Sequence, residues 1–167
     1  MDIRLPSIST NLMRNAVYLL LWCFSLSSVS VMAEPTITHF YDGDTVKIDD
    51  GQRQYKLRIT DIDAPERNQR YGKQARRALM KLCKQANIQV TLTGIDKYQR
   101  ELGYLTCNNN AVSEYLIEQG FAWFNVRYSN NVVLQAAENN ARQAKRGLWK
   151  QKKPMPPWVW RQKHAHN

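Results

Sequence analysis

The order of strand patterns and turn signals is the feature that most constrains the fold of this chain. Residues 36–41, 45–48 and 54–60 are short runs rich in β-branched and aromatic side chains. Asp-Gly turn signals separate them, at residues 42–43 and 50–51. The third run also alternates apolar and charged side chains, as a strand with one buried face does. The pattern predicts three strands joined by tight turns.

A helical pattern follows these strands. Ala75, Ala78, Leu79, Leu82 and Cys83 recur with the spacing of one helix face, and basic residues stand between them. This spacing predicts an amphipathic helix whose outer face is positively charged.

Two more strands and two more helices complete the predicted order of elements. The strands span residues 88–93 and 102–106, and the helices span 112–120 and 132–145, each followed or ended by a glycine. The residues that the last helix is expected to bury are Val133, Ala136, Ala137, Ala141 and Ala144. Periodicity supports an α+β class that is mainly β. The element order also fits a closed five-stranded barrel of the oligonucleotide-binding type with three packed helices.

The first 33 residues have the pattern of a secretory signal peptide. Arg4 and Arg14 come first, an apolar run spans residues 16–26, and small side chains lead to a cleavage position after Ala33. An uncleaved membrane anchor is the alternative, but a spanning helix needs roughly 20 apolar residues and serines shorten this run. We therefore predict export, to the periplasm or out of the cell, and no stable membrane insertion after cleavage.

The chain that remains after cleavage has 134 residues, which suits one domain better than two. We expect that domain at residues 34–150, followed at 151–167 by a basic tail with Pro and Trp that packs loosely. The net charge falls only from +10 to +9, because the removed segment holds two arginines and one aspartate. Such a charge favours a polyanionic partner such as nucleic acid, anionic lipid or acidic polysaccharide, although it also fits a role in solubility alone.

Cysteine usage agrees with an oxidising compartment. Cys23 would leave with the signal peptide, so Cys83 and Cys107 would remain as an even pair. We predict a disulfide between them, which closes a loop of about 25 residues and stabilises the fold by roughly 3–4 kcal/mol. Two buried free thiols too far apart to join are the alternative.

Carboxylates stand at predicted strand ends and turns. Asp44 follows the first Asp-Gly turn, and Asp63 lies just beyond the third strand. Pro65 denies Ala64 a helical conformation, so the Ala64 carbonyl is expected to face outward. Two carboxylates and one carbonyl oxygen are hard ligands that suit Ca²⁺.

A third acid and two arginines complete the candidate site. Glu66, beside a metal-held phosphate, is suited to act as the general base for water. Arg58 and Arg100 carry planar guanidinium groups that bind phosphate oxygens in pairs and neutralise charge that grows as water adds to phosphorus. Arg58 and Asp63 would point to opposite faces of a regular strand, so a bend before Asp63 is needed to bring them together.

Taken singly, these residues also fit ordinary roles in turns, helix caps and surface ion pairs. A helix-loop-helix calcium loop that begins at Asp42 is excluded, because Val46 and Lys47 occupy positions where that loop needs an oxygen ligand and a glycine. The occurrence of all the candidate acids and arginines in one chain favours a site for phosphodiester cleavage.

Four segments, in this order and spacing, resemble successive motifs of the staphylococcal nuclease (thermonuclease) family. The segments are Asp42-Gly43-Asp44-Thr45, Leu57-Arg58 with Asp63-Ala64-Pro65-Glu66, Tyr71-Gly72, and Asp96-Lys97-Tyr98-Gln99-Arg100. The resemblance extends from about residue 36 to residue 149, which is nearly the whole chain after the signal peptide.

The resemblance implies a five-stranded barrel with three helices and a calcium-dependent phosphodiesterase that acts on DNA and RNA and leaves 3′-phosphate ends. Asp44 and Asp63 match the calcium carboxylates, and Ala64 matches the carbonyl ligand. Glu66 matches the general base. The remaining matches are Arg58 and Arg100 as phosphate-binding arginines, and Lys97 and Tyr128 as residues that contact the nucleotide.

Two positions depart from the family pattern. Ala64 stands where threonine is common, which leaves a backbone carbonyl ligand unaffected. Gln99 stands where the family usually has glycine. If this position has positive φ, glutamine is strained there or the turn is re-formed, and Arg100 beside it would be misplaced.

The function predicted from the sequence is an exported, monomeric nuclease that uses one Ca²⁺ and cuts DNA and RNA. The alternative is a non-catalytic barrel domain that binds nucleic acid or another anionic polymer. A third possibility is a cationic protein of the cell envelope that uses the basic helix and tail and does not need the acids.

Overall fold

The structure is a computed structural model that describes residues 34–165, so the predicted signal peptide and Cys23 lie outside the described residues. Its strands are β1 (Thr36–Phe40), β2 (Thr45–Asp49), β3 (Gln54–Ile59), β4 (Ile62–Asp63), β5 (Ile88–Ile95), β6 (Glu101–Cys107), β7 (Asn110–Ala111) and β8 (Trp123–Phe124). Its helices are α1 (Gly72–Cys83), α2 (Val112–Glu118), α3 (Val132–Gln143) and α4 (Pro157–His164), with a 3₁₀ helix at Gly147–Lys150. No helix within residues 34–165 is long and apolar enough to cross a membrane.

The main sheet has the strand order β1-β2-β3-β6-β5, and the short β7 pairs with β6. Neighbouring strands are antiparallel except β3 and β6, which run parallel. A second, two-stranded sheet pairs β4 with β8. The predicted α+β class, the five main strands and the three predicted helices are all confirmed.

Closure of the sheet into a barrel was predicted, and the structure corrects this. Within the described residues β1 and β5 are the two edges of the main sheet and do not pair with each other. Both edges are irregular, with register shifts between Ile37 and His39 and between Leu92 and Gly94. Instead of a strand, α1 reaches the β1 edge, where the Arg76 side chain donates to the Phe40 carbonyl at 2.8 Å.

The core lies between the main sheet and helices α1 and α2. Its fully buried members include Ile48, Leu57, Leu79 and Leu116. These residues fall on the faces that the alternation of β2 and β3 and the periodicity of α1 predict. A disulfide between Cys83 and Cys107, with a Cα–Cα distance of 5.2 Å, joins the end of α1 to the end of β6.

The buried face of α3 differs from the predicted one. Of the residues predicted to be buried, Val133, Ala136 and Ala144 are exposed instead. Ala141 is buried as predicted and Ala137 is partly buried, but Leu134 and Glu138 are buried as well. Glu138 belongs on this face because its carboxylate accepts the Phe124 N–H at 3.1 Å. Hydropathy alone assigns a glutamate to the outside of a helix, so the predicted face was rotated away from the true one.

The tail was expected to pack loosely, and the structure shows part of it as a helix that makes a small set of contacts with the domain. Residues 157–164 form α4, whose first residue, Pro157, is buried. Trp158 packs edge-on against Trp123, with ring centroids 5.6 Å apart, and Trp123 in turn meets Trp149 at 4.4 Å. This second apolar cluster gives the C-terminal residues a docking surface.

Candidate active site

The turn before β2 positions the first carboxylate. Asp42 accepts the N–H groups of Asp44 at 3.0 Å and of Thr45 at 2.7 Å, so its role is to hold the turn. Gly43 is required by close packing, because a Cβ there would lie 2.7 Å from the Cβ atoms of Ala64 and Ala75. The turn therefore sits directly against the segment that carries the other acids, and Asp44 is left buried at 4% exposure.

A bend after β3 brings Arg58 and Asp63 together, as the sequence required. Asp61 has φ +67°, and this left-handed residue separates β3 from β4. The Arg58 guanidinium donates from Nη1 to the carbonyls of Ile59 at 2.8 Å and Ile62 at 3.0 Å. These bonds fix its orientation across the bend, so that Nη2 faces Asp63.

Asp44, Arg58 and Asp63 form what we call the strand-end cluster. Arg58 Nη2 lies 3.0 Å from Asp63 Oδ1 and 3.2 Å from Asp44 Oδ2, and Asp63 is only 3% exposed. Burial raises the pKa of Asp44 well above its usual range; Arg58 opposes the rise, and the neighbouring carboxylates of Asp42 and Asp63 add to it. The cluster is thus two buried acids that require positive charge between them.

The strand-end cluster offers two carboxylate ligands for a hard cation such as Ca²⁺, fewer than such an ion needs in total. Within residues 34–165 no group of three or more His, Cys, Asp and Glu side chains is arranged to hold a metal. Two buried carboxylates do converge, and Ca²⁺ completes its six to eight oxygen ligands with carbonyls and water. Ala64 contacts the cluster through its N–H, which donates to Asp44 Oδ2. A ligand role for the Ala64 carbonyl stays a prediction.

Glu66 lies beside the cluster and is partly exposed. Gln69 organises the segment around it, because its Oε1 accepts the Glu66 N–H at 3.1 Å. Gly72 is also needed here, since a Cβ at that position would collide with the Glu66 carbonyl. The Glu66 side chain does not point freely into solvent, because its Oε1 accepts a hydrogen bond of 2.7 Å from Arg161.

Arg161, on α4, is the site residue that the sequence did not reveal. Its Nη2 lies 2.8 Å from Asp63 Oδ2, and its Nη1 lies 3.1 Å from Asp63 Oδ1 and 2.7 Å from Glu66 Oε1. The hydrogen bonds that Arg161 donates to Asp63, and to a lesser extent the one to Glu66, raise the Arg161 pKa against the opposing effect of burial. The only hint in the sequence was aromatic: tryptophans in a tail tend to pack, but nothing indicated where.

The structure does not bring Arg100 into contact with the strand-end cluster or Glu66. Its guanidinium bonds to Asp96, with Nε and Nη2 at 2.8 and 2.7 Å from Oδ2. Burial raises the Asp96 pKa, but hydrogen bonds from the Arg100 backbone and side chain outweigh it and lower the value. Gln99 has φ +61°, so the residue that replaces the family's glycine is in the left-handed region, as was considered from the sequence.

The two predicted nucleotide contacts lie in exposed segments. Lys97 is on the turn between β5 and β6, with Nζ 5.0 Å from the centre of the Tyr98 ring. Tyr128 is 83% exposed in the loop between β8 and α3. Of the predicted site residues, the structure groups Asp44, Arg58, Asp63, Ala64 and Glu66, and places Lys97, Arg100 and Tyr128 outside that group of contacts.

Comparison with known proteins identifies relatives of this chain. The family profile described as "Staphylococcal nuclease homologue" matches residues 56–151. An uncharacterized endonuclease of Escherichia coli O157:H7 is 33% identical over 150 residues, which are 89% of this chain and 98% of that protein. One from Haemophilus influenzae is 32% identical over 127 residues, 75% of the chain and 71% of that protein. A staphylococcal-like nuclease of Arabidopsis thaliana is 36% identical over 109 residues, 65% of the chain and 34% of the plant protein.

The chain belongs to the staphylococcal nuclease family. The resemblance drawn from the four motifs is thereby confirmed, and with it, at the level of the family, the prediction that the chain is a nuclease. The match to the Escherichia coli protein covers nearly the full length of both chains.

Proposed function

We propose that this chain is a calcium-dependent nuclease that hydrolyses phosphodiester bonds in both DNA and RNA and leaves 3′-phosphate ends. The observation that carries the proposal is the convergence of two buried carboxylates, Asp44 and Asp63, on one guanidinium nitrogen of Arg58. Arg58 carries one positive charge, so two ionised carboxylates beside it leave an excess negative charge that a second cation would balance. Membership of a nuclease family supports the choice of substrate.

Each side chain has a separate role in the proposed reaction. Asp44, Asp63 and the Ala64 carbonyl would hold the calcium ion, which supplies a positive charge to the phosphate oxygens. Glu66 accepts a proton from water as the water oxygen forms its bond to phosphorus. The bond from phosphorus to the 5′ oxygen then breaks, the 5′ oxygen takes up a proton from water and leaves as a hydroxyl group, and the phosphate stays on the 3′ oxygen. Arg58 and Arg100 bind phosphate oxygens and neutralise the growing charge.

Positive surface near Glu66 supports a nucleic-acid substrate. Arg67, Arg70, Lys73 and Arg77 are exposed on the segment that follows Glu66 and on the first turns of α1. Side chains of this kind bind the phosphate backbone without reading the bases or the sugar. Phosphate contacts of this kind carry no sequence information, so they are compatible with cleavage that is indifferent to sequence.

The proposal is tested by cleavage of a single-stranded DNA and an RNA of the same sequence, in calcium and in excess chelator. We expect both to be cut in calcium and neither in chelator, with 3′-phosphate found by end-group analysis. Glu66→Gln should lower the rate by about 100-fold or more, as loss of a general base does. Glu114→Gln is the matched control, because Glu114 is exposed on α2.

Three outcomes would contradict the proposal in different ways. Cleavage that persists in chelator would remove calcium from the mechanism. Full activity of the Glu66→Gln variant would remove the general base. Binding of DNA without cleavage under every condition would favour a non-catalytic domain that binds nucleic acid.

We also propose that the protein acts after export, as a monomer of residues 34–167. The signal pattern before Ala33 and the Cys83–Cys107 bond both support an oxidising compartment. N-terminal sequencing of protein from the periplasm or the medium should begin at Glu34. A cytoplasmic protein that begins at Met1 would contradict export, and light scattering checks the oligomeric state.

A further inference from the structure

The C-terminal segment, residues 154–165, places a cation in the site that the proposed function assigns to calcium. Arg161 uses two nitrogens to bond both oxygens of Asp63, and one of these nitrogens also bonds Glu66 Oε1. A guanidinium in this position leaves Asp63 no free oxygen on that side for a metal. It also occupies Oε1, one of the two Glu66 carboxylate oxygens that could accept a proton from water.

Packing, and not charge alone, brings Arg161 to the site. Trp123 lies opposite Asp63 in the pairing of β8 with β4, and Trp158 packs against the Trp123 ring. Arg161 follows Trp158 by three residues, so both side chains lie on one face of α4. A helix that docks its tryptophan on Trp123 therefore delivers its arginine to Asp63, one strand position across.

Gln69 connects the C-terminal segment to the backbone of Glu66. Its Oε1 accepts the Glu66 N–H at 3.1 Å, and its Nε2 donates to the Met155 carbonyl at 2.7 Å. Gln69 is buried, so these two bonds are sheltered from water. One side chain thus joins the backbone of the proposed general base to the start of the C-terminal segment.

The attachment is nevertheless weak enough to be reversed. The Arg161 side chain is 46% exposed and its pair with partly exposed Glu66 contributes little stability, so its attachment depends mainly on buried Asp63. The helix that carries it has only eight residues. A doubly charged cation at Asp44 and Asp63 would repel the guanidinium and take its ligands, whereas Arg58, held by two carbonyls, has no such freedom to leave.

We propose that the C-terminal segment is an inhibitory cover, in which Arg161 occupies the metal and base side of the site and calcium displaces it. The inference rests on the proposed function, because it takes Asp63 to be a calcium ligand. It predicts that calcium binding and docking of the segment exclude each other, so that loss of Arg161 strengthens calcium binding.

The test compares wild type with Arg161→Gln and with Lys163→Gln, a matched control on the same helix. Calcium affinity is measured by calorimetry, and docking by amide hydrogen exchange of residues 154–165, so neither measurement depends on cleavage. We expect calcium to speed exchange of this segment in wild type. We expect Arg161→Gln to exchange quickly without calcium and to bind calcium roughly tenfold more tightly, with Lys163→Gln like wild type.

A second variant separates docking from charge. Trp158→Ala removes the ring that packs on Trp123 and leaves Arg161 in place, and it should also tighten calcium binding. The proposal is overturned if calcium saturates the wild type while residues 154–165 stay protected, or if Arg161→Gln binds calcium no more tightly. Failure of every variant to bind calcium would overturn the calcium site itself, and with it the displacement.

Discussion

The strand-end cluster and the C-terminal segment both contact Asp63 with an arginine, and they do so in contrasting ways. Arg58 is 13% exposed, lies five residues from Asp63 and is held by two backbone carbonyls. Arg161 is 46% exposed, lies 98 residues away and bonds only to carboxylates among its side-chain contacts. The difference indicates that Arg58 is part of the folded core of the site, which we call the framework, whereas Arg161 is a surface contact made by a separate segment.

The largest effect should come from Arg58→Ala. It leaves buried Asp44 without its ion-pair partner, Asp63 with Arg161 alone, and two carbonyls without the Arg58 donor. The free energy of unfolding should therefore fall by about 3–5 kcal/mol. Cleavage should fall by about 1000-fold where the protein is folded. Denaturant unfolding and initial rates measure the two effects.

Arg53→Ala is the control, because Arg53 forms a more exposed pair with Glu101 at 2.7 Å. This substitution should lower the free energy of unfolding by about 1 kcal/mol or less. Equal losses for both variants would break the comparison.

Asp44→Asn should separate function from stability within the strand-end cluster. Burial raises the pKa of Asp44, which means that the ionised form is unfavourable in the folded protein, and the amide removes this charge. Thermal unfolding in chelator should therefore show a melting temperature that is unchanged or raised. Activity at fixed calcium should fall by more than about 100-fold. Loss of a group that only orients a metal ligand already lowers activity by about 10- to 100-fold, and Asp44 is proposed to be a ligand itself. A strongly destabilised variant would show that the carboxylate is structural.

Removal of residues 154–167 should leave the framework intact. The truncated protein loses the contact of Trp158 with Trp123 and the burial of Pro157, so we expect a loss of about 1–3 kcal/mol with the sheet retained. Circular dichroism and urea unfolding measure this. Loss of cooperative unfolding would mean that the C-terminal segment belongs to the framework after all.

The smallest effect is expected from Gln99→Gly. The substitution relieves a left-handed glutamine, which is worth about 1 kcal/mol, while Asp96 still holds Arg100 through its backbone N–H and guanidinium. Activity should change by less than about fivefold, the factor that corresponds to 1 kcal/mol or less. Gln85→Gly is a matched control, because Gln85 has the same φ of +61° in the turn after α1. A large rise in activity for Gln99→Gly alone would show that Arg100 is misplaced in the natural protein.

Local patterns explain why most of the fold was predictable. The alternation in β3 and the spacing of Ala75, Ala78 and Leu79 in α1 each arise within one element, and the core takes up those same faces. The face of α3 was mispredicted because Glu138 is buried by a single hydrogen bond to Phe124, which no hydropathy pattern expresses. Barrel closure was mispredicted for a related reason, since pairing between edge strands depends on register irregularities such as that at Leu92.

The site residues also fall into those that local sequence patterns predict and those that only contacts between distant elements bring together. The sequence by itself determined the strand-end cluster. Asp44, Arg58, Asp63 and Ala64 lie within 21 residues, and the Asp-Gly and Ala-Pro pairs predict the turns near them. The sequence also indicated that Gln99 would be strained if its φ were positive, and the structure shows that φ is +61°. Only the tertiary structure decided that Arg100 is engaged by Asp96 and that Arg161 reaches Asp63. The physical reason is that this last contact depends on where Trp158 finds an apolar surface, and that surface is assembled only when β8, α3 and the 3₁₀ helix have packed together.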